Sequence, residues 1–71
     1  MYTGCWIEDN WIWGGTYPGK FRIENNWIWG PKNAGKYWIE EGYVWGPVDG
    51  GKYWIEDGYI YGPSKTLPWT L

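Results

Sequence analysis

A 16-residue repeat runs through almost the whole chain. The segments WIEDNWIWG at Trp6, RIENNWIWG at Arg22, WIEEGYVWG at Trp38 and WIEDGYIYG at Trp54 recur without slippage. They define one repeat domain over residues 1–71, with units at 3–18, 19–34, 35–50 and 51–66 and a tail at 67–71. A fixed short period is typical of one structural unit copied in tandem. A surface copied four times suits repeated contacts better than one asymmetric active site.

Each unit predicts a β-hairpin. In the third unit a strand-like run, Lys36 to Glu40, is followed by the pair Glu41-Gly42 and a second run, Tyr43 to Gly46. A two-residue type I′ turn needs positive φ at both central residues, which Asn, Asp and Gly tolerate best. Glu41 is the poorest fit to this requirement. The flanking runs are rich in Trp, Tyr, Ile and Val, as strands prefer. The other turn pairs are Asp9-Asn10, Asn25-Asn26 and Asp57-Gly58.

The turn fixes which side chains share a face. With Glu41-Gly42 as the loop, Glu40 opposes Tyr43, Ile39 opposes Val44, and Trp38 opposes Trp45. Alternate pairs point to opposite sides of a hairpin. One face is therefore almost purely apolar and is the predicted core. Its members are Cys5, Ile7, Ile12, Phe21, Ile23, Ile28, Tyr37, Ile39, Val44, Tyr53, Ile55 and Ile60.

The opposite face carries eleven aromatic side chains, four carboxylates and one arginine. If fully exposed, it would exceed the apolar patch that a monomer usually shows. Either neighbouring hairpins or a partner should therefore cover part of it, and it is the candidate binding or interaction face. We call it the outer belt: Trp6, Glu8, Trp11, Trp13, Arg22, Glu24, Trp27, Trp29, Trp38, Glu40, Tyr43, Trp45, Trp54, Glu56, Tyr59 and Tyr61.

Single hairpins are not stable in water, so the four must share a core. Closing them into a ring also removes the strand edges that invite aggregation. The sequence therefore predicts an all-β fold of four tandem 16-residue β-hairpins in a closed pseudo-fourfold ring. Each unit has a Tyr or Trp, an Ile, and a turn Gly or Asn, and in this it resembles the four-fold β-flower domains of bacterial proteins. The resemblance covers Thr3 to Thr66 and implies a fold but no established activity.

The tail ends in the sequence LPWTL, in which Leu67, Trp69 and Leu71 alternate as they would in a strand. We call the equivalent positions of successive units a column. Continuing the repeat places Trp69 in the column of Phe21, Tyr37 and Tyr53, and Leu71 in the column of Ile7, Ile23, Ile39 and Ile55. Two interpretations follow. In the favoured one the tail plugs or covers one end of the core. In the other it pairs with a second chain and drives assembly.

Composition argues against several partners. The net charge is −2 without a long charged run, which argues against nucleic acid, where a basic surface supplies most of the affinity. No apolar stretch approaches the ~20 residues of a membrane-spanning helix, and no signal peptide is evident. The one cysteine, Cys5, cannot form an intramolecular disulfide, and the absence of a disulfide framework favours a cytoplasmic location.

Catalysis has little support. The chain has no histidine, so Cys5 has no imidazole to activate it. Two carboxylates can share acid and base roles only where their environments separate their pKa values, and four near-equivalent glutamates oppose that. A hard cation such as Ca²⁺ would fit only if the glutamates turned inward. We therefore expect no enzyme, no cofactor and no metal.

Two function classes remain. The first, which the sequence favours, is a non-catalytic structural or interaction module that self-associates as a homo-oligomer through the outer belt or the tail, because the aromatic surface is too extensive and the tail too apolar for a lone monomer. The second is a small multivalent carbohydrate-binding protein. In the latter, tryptophan offers a flat apolar platform beside a carboxylate acceptor, and four copies would add avidity. The simplest structural alternative is that the tryptophans only pack against adjacent hairpins.

Overall fold

The protein forms a closed barrel of eight short antiparallel strands. The computed structural model describes residues 1–71. Each strand pairs with the next in sequence, and β8 pairs with β1. This confirms the predicted all-β fold of four hairpins in a closed ring. The strands are β1 (Tyr2–Glu8), β2 (Trp11–Trp13), β3 (Phe21–Glu24), β4 (Trp27–Trp29), β5 (Tyr37–Glu40), β6 (Tyr43–Trp45), β7 (Tyr53–Glu56) and β8 (Tyr59–Tyr61).

The hairpin register is the one that the turns predict. In the third hairpin Trp38 pairs with Trp45, Ile39 with Val44, and Glu40 with Tyr43. The other three hairpins repeat this pattern. Both central turn residues have positive φ in every hairpin, and Glu41 adopts a φ of 57° despite its longer side chain. The four turns share one end of the barrel, the turn end, and the longer connections lie at the other, the loop end.

One hydrogen bond repeated four times joins adjacent hairpins at the turn end. The amide N–H of Ile23 donates to the carbonyl oxygen of Asn10 at 2.7 Å. The N–H of Ile39 does the same to Asn26, and the N–H of Ile55 to Gly42. The fourth bond, from Ile7 to Gly58, closes the ring. Each turn carbonyl is thus paired with the following hairpin, which fixes the stagger between units.

The predicted inner face forms the core. Its eight buried members are the aliphatic residues of the even-numbered strands and the first core residue of each odd-numbered strand. Ile7, Ile23, Ile39 and Ile55 are only partly buried, because they lie near the turn end, which no further segment covers. The buried members are Cys5, Ile12, Phe21, Ile28, Tyr37, Val44, Tyr53 and Ile60.

Three core rings lie directly on glycine. A Cβ atom added at Gly30 would collide with the ring of Phe21, and one at Gly46 or Gly62 would collide with Tyr37 or Tyr53. Glycine is therefore required opposite each ring, because any side chain there would fill the space that the ring occupies.

The contact between β1 and β8, which we call the seam, differs from the other junctions. β1 begins at Tyr2, one residue before the first repeat unit, and pairs Tyr2 with Tyr61 across a register shift that ends at Cys5. The Thr3 hydroxyl donates to the carbonyl oxygen of Ile60 at 2.7 Å and accepts from the amide of Cys5 at 3.2 Å. These bonds satisfy the backbone groups that the shift leaves without ladder partners.

The tail folds onto the loop end as a 3₁₀ helix at Pro68–Thr70. The strand-like alternation is therefore wrong as a guide to its conformation. Leu67 and Trp69 are buried in the core cluster, whereas Leu71 is 65% exposed and does not occupy the isoleucine column. The Asn33 side-chain amide holds the tail by donating to the main-chain oxygens of Trp69 at 3.0 Å and Leu71 at 2.9 Å.

Candidate functional site

The outer belt encircles the barrel with its side chains pointing away from the core. All four glutamates and Arg22 are exposed. Seven of the eleven aromatic side chains are between 36% and 48% exposed, namely Trp6, Trp11, Trp13, Trp27, Tyr43, Trp45 and Tyr59. Trp29, Trp38, Trp54 and Tyr61 have intermediate exposure. Each aromatic ring therefore rests on the barrel with part of its surface and presents the rest to solvent.

Three tryptophans at the strand ends are held by glycines of the following unit. An added Cβ at Gly19 would lie 2.8 Å from the Trp13 ring, so that ring packs directly against the glycine. Trp29 and Trp45 pack against Gly35 and Gly51 in the same way. A side chain at any of these glycines would displace the tryptophan ring that packs there.

The tryptophan N–H groups find partners unevenly. The Nε1 atoms of Trp13 and Trp45 donate to the carbonyl oxygens of Glu8 and Glu40, both at 3.2 Å. The equivalent Nε1 of Trp29 is buried and has no acceptor within the protein. Buried donors are usually paired. The second hairpin therefore departs from its neighbours at this position.

Neighbouring hairpins also place aromatic rings side by side. The ring centroids of Trp27 and Trp38 lie 5.3 Å apart, and those of Tyr43 and Trp54 lie 6.5 Å apart. Within the fourth hairpin, by contrast, Trp54 stacks on its cross-strand partner Tyr61 with centroids 5.7 Å apart and an interplanar angle of 12°. Neighbouring hairpins thus cover the sides of some outer-belt rings, as expected if the tryptophans pack against adjacent hairpins. The outward faces of these rings remain exposed.

The second hairpin carries a groove. Arg22 stands where the other units have tryptophan, and its Nη2 atom lies 3.0 Å from Oε1 of Glu24. Both side chains remain about half exposed, so we assign this ion pair little stabilising energy. The pair places a guanidinium and a carboxylate beside two indole rings. The groove, of about 390 Å³, is lined by Arg22, Glu24, Asn25, Trp27 and Trp29.

Tyr2 also lies on the outer face, although the outer belt predicted from the repeat does not include it. It makes an edge contact with Tyr59 at 5.6 Å and lies 5.7 Å from Tyr61, and these three tyrosines line an apolar cleft at the seam. Counting back in steps of two from Trp6 reaches Tyr2 on the same face, and this signal could have found it. The repeat alone does not indicate Tyr2, because the first repeat unit begins at Thr3.

The remaining titratable groups do not converge. No group of three His, Cys, Asp or Glu residues lies close enough together to hold a metal ion. Cys5 is a buried free thiol, and burial raises its pKa while the hydrogen bond with Thr3 acts in the opposite direction. None of the helices has the length and apolar character needed to span a membrane.

No family model, no curated protein and no solved structure matches this chain.

Proposed function

We propose that the protein is a non-catalytic binding module that takes carbohydrate on its outer belt, with the groove around Arg22 as the principal site. We further propose that it belongs with the four-fold β-flower domains. The closed barrel of four hairpins supports this placement.

The observation that carries the proposal is the composition of the groove. A pyranose ring presents apolar C–H groups on its faces and hydroxyl groups around its edge. The exposed Trp27 ring offers a flat apolar surface for such a face. Arg22 donates in the plane of its guanidinium, while Glu24 accepts, so hydroxyl groups of either polarity find partners. A few fixed polar groups beside apolar walls are the usual means of orienting a small ligand.

The rest of the outer belt extends this site. Each other hairpin keeps its glutamate beside two or more aromatic rings, so a long oligosaccharide would meet related surfaces around the barrel. Linking weak sites on one ligand raises the overall affinity without any new kind of contact. We therefore expect affinity to rise with the length of the sugar chain.

Calorimetric titration with β-1,4-linked hexasaccharides of glucose and of N-acetylglucosamine, and with their monosaccharides, tests the proposal. The decisive variant is Arg22→Trp, which restores the residue of the other repeats and closes the groove. It should fold as well as the parent and lose at least about tenfold in affinity for the hexasaccharide. Trp27→Ala should lose affinity by a similar factor.

Val48→Ala is the matched control, because Val48 is an exposed apolar residue outside the outer belt. It should bind as the parent does. The proposal is wrong if no saccharide binds, or if Arg22→Trp binds as tightly as the parent.

Self-association is the second candidate, and the cleft at the seam favours it. Four equivalent surfaces contacting one another would tend to give open assemblies rather than closed oligomers. The Tyr2, Tyr59 and Tyr61 cluster occurs once per barrel and is apolar, so it can pair with itself in a closed dimer.

Sedimentation across a range of concentrations tests this candidate. Tyr59→Ser should weaken a dimer. Tyr43→Ser should not, although Tyr43 occupies the same column with similar exposure, at 44% against 48%. A monomer at every concentration, or equal effects of the two variants, would exclude the seam as an interface.

A further inference from the structure

The core lacks one ring of its fourfold set. Phe21, Tyr37 and Tyr53 fill three quarters of the barrel at the loop end, and the equivalent position of the first hairpin is Cys5. A thiol is much smaller than a benzene ring. The first hairpin also has its own loop, Gly14 to Gly19, in place of the Gly-Pro sequence that follows the other hairpins. Side-chain volume is therefore missing from one side of the loop end.

The tail does not replace the missing volume. Trp69 makes edge contacts with Tyr37 and Tyr53, at centroid distances of 6.1 and 6.4 Å, on the side of the barrel that already holds rings. Phe21 instead contacts Tyr17 of the first loop, with ring centroids 5.8 Å apart. A cavity of about 230 Å³ lies between the tail and the first hairpin.

The lining of this cavity is chemically divided. Its apolar part includes Cys5, Phe21, Leu67 and Trp69. Threonines, Lys65 and glycines of the first loop contribute to the rest of the lining, which includes no Asp or Glu. The only ion pair of the molecule joins Arg22 and Glu24. The ammonium group of Lys65 therefore has no carboxylate within 4.0 Å. The cavity therefore combines an apolar pocket of ring size with one unpaired cation.

Three observations fit a ligand in this position. A cavity of about 150 Å³ lined by apolar side chains is large enough to bind benzene, so this one can hold a substituted ring. Trp69, in its wall, is almost fully buried and its Nε1 atom has no acceptor. A neutral thiol is also a favourable neighbour for an aromatic ring.

We propose that this cavity binds a monocyclic aromatic carboxylate of the size of benzoate, with the ring against Cys5, Phe21 and Trp69 and the carboxylate at Lys65. The site is separate from the outer belt and does not depend on the carbohydrate proposal. Binding is non-covalent, since a buried, protonated thiol is a poor nucleophile.

The test uses the full chain and three probes at constant ionic strength: benzoate, phenol and acetate. Binding is followed by calorimetry and by the indole N–H resonances in ¹H–¹⁵N spectra, among which Trp69 should respond. Benzoate should bind more tightly than phenol, because phenol lacks the charge, and acetate should not bind. Lys65→Gln should weaken benzoate about three- to fivefold and leave phenol unchanged, as expected for a partly exposed ion pair.

Two variants test the location. Cys5→Leu fills the cavity from its floor and should abolish benzoate binding, whereas the size-matched Cys5→Ser should retain it. Gly15 packs closely against Cys5, since an added Cβ at Gly15 would lie 3.0 Å from Sγ. A leucine at position 5 could clash with this loop and impair folding. Thr66→Phe at the exposed rim therefore serves as a second means of obstruction.

Loss of benzoate binding in a folded Cys5→Leu or Thr66→Phe variant, together with the selective effect of Lys65→Gln, supports the proposal. Three results would each overturn it. These are no saturable binding of benzoate, binding that both obstructing variants leave intact, and phenol binding as tight as benzoate binding.

Discussion

Removing the indole of Trp69 should be the most damaging single change in the tail. The side chain is 1% exposed. A tryptophan buries about 150–250 Å², which at ~25 cal/mol/Å² corresponds to about 4–6 kcal/mol. Measured costs of Trp→Ala in cores are about 3–5 kcal/mol. A domain of 71 residues has a free energy of unfolding of about 4–11 kcal/mol at ~0.05–0.15 kcal/mol per residue. Trp69→Ala should therefore remove between about a quarter and all of the stability.

Urea and thermal unfolding, followed by near-ultraviolet circular dichroism, measure this effect. A loss of about 3 kcal/mol should lower Tm by more than about 10 °C in a domain of this size. Trp69→Phe should be less damaging, because it keeps a ring and removes an N–H group that has no acceptor. Leu71→Ala is the control, and its effect should stay within about 0.5 kcal/mol. If Trp69→Ala is as stable as Leu71→Ala, the tail does not contribute to the core.

Three other changes follow from the backbone and the core. Glu41→Asn should raise the free energy of unfolding, measured by urea denaturation, by about 1 kcal/mol, because asparagine accepts the positive φ more readily. No gain in stability would refute the claim that Glu41 is strained. Gly46→Ala should destabilise the barrel by about 1–3 kcal/mol, since its methyl group collides with the Tyr37 ring, and native-like stability would contradict that packing. Burial raises the pKa of the Cys5 thiol above its ordinary value of 9.0, so the native state holds this proton more tightly than the unfolded chain. Stability should therefore fall as the pH rises above about 9, and Cys5→Ser should reduce that slope; an unchanged slope would exclude Cys5 as its source.

The strand register and the two faces could be predicted because local and global signals agree. The pairing of Glu40 with Tyr43 follows from a two-residue turn and a period of two, and both are short-range properties. Ring closure follows from the need to cover strand edges. These inferences require no knowledge of side-chain volumes.

The tail was harder to predict because its local chemistry opposes its pattern. Pro68 has no N–H to offer a strand ladder, and its fixed φ suits the first position of a helical turn. Alternation over five residues was therefore a weaker signal than one proline. The groove at Arg22 and the cavity at Cys5 were missed for a different reason. Both arise where one side chain departs from its column, and their volumes depend on how the neighbouring loops and the tail pack.

The two hydrogen bonds from Asn33 also resolve a rotational degeneracy. Four similar hairpins surround the barrel axis, so a tail lying over that axis meets related docking positions in different orientations. Asp49 is the counterpart of Asn33 in the third unit and has the same backbone conformation, with φ of 56° against 54°. A carboxylate cannot donate to main-chain oxygens, and the remaining counterparts are Tyr17 and Lys65. One amide nitrogen thereby selects a single rotational orientation of the tail about the barrel axis, and the four quasi-equivalent hairpins become distinguishable at the loop end.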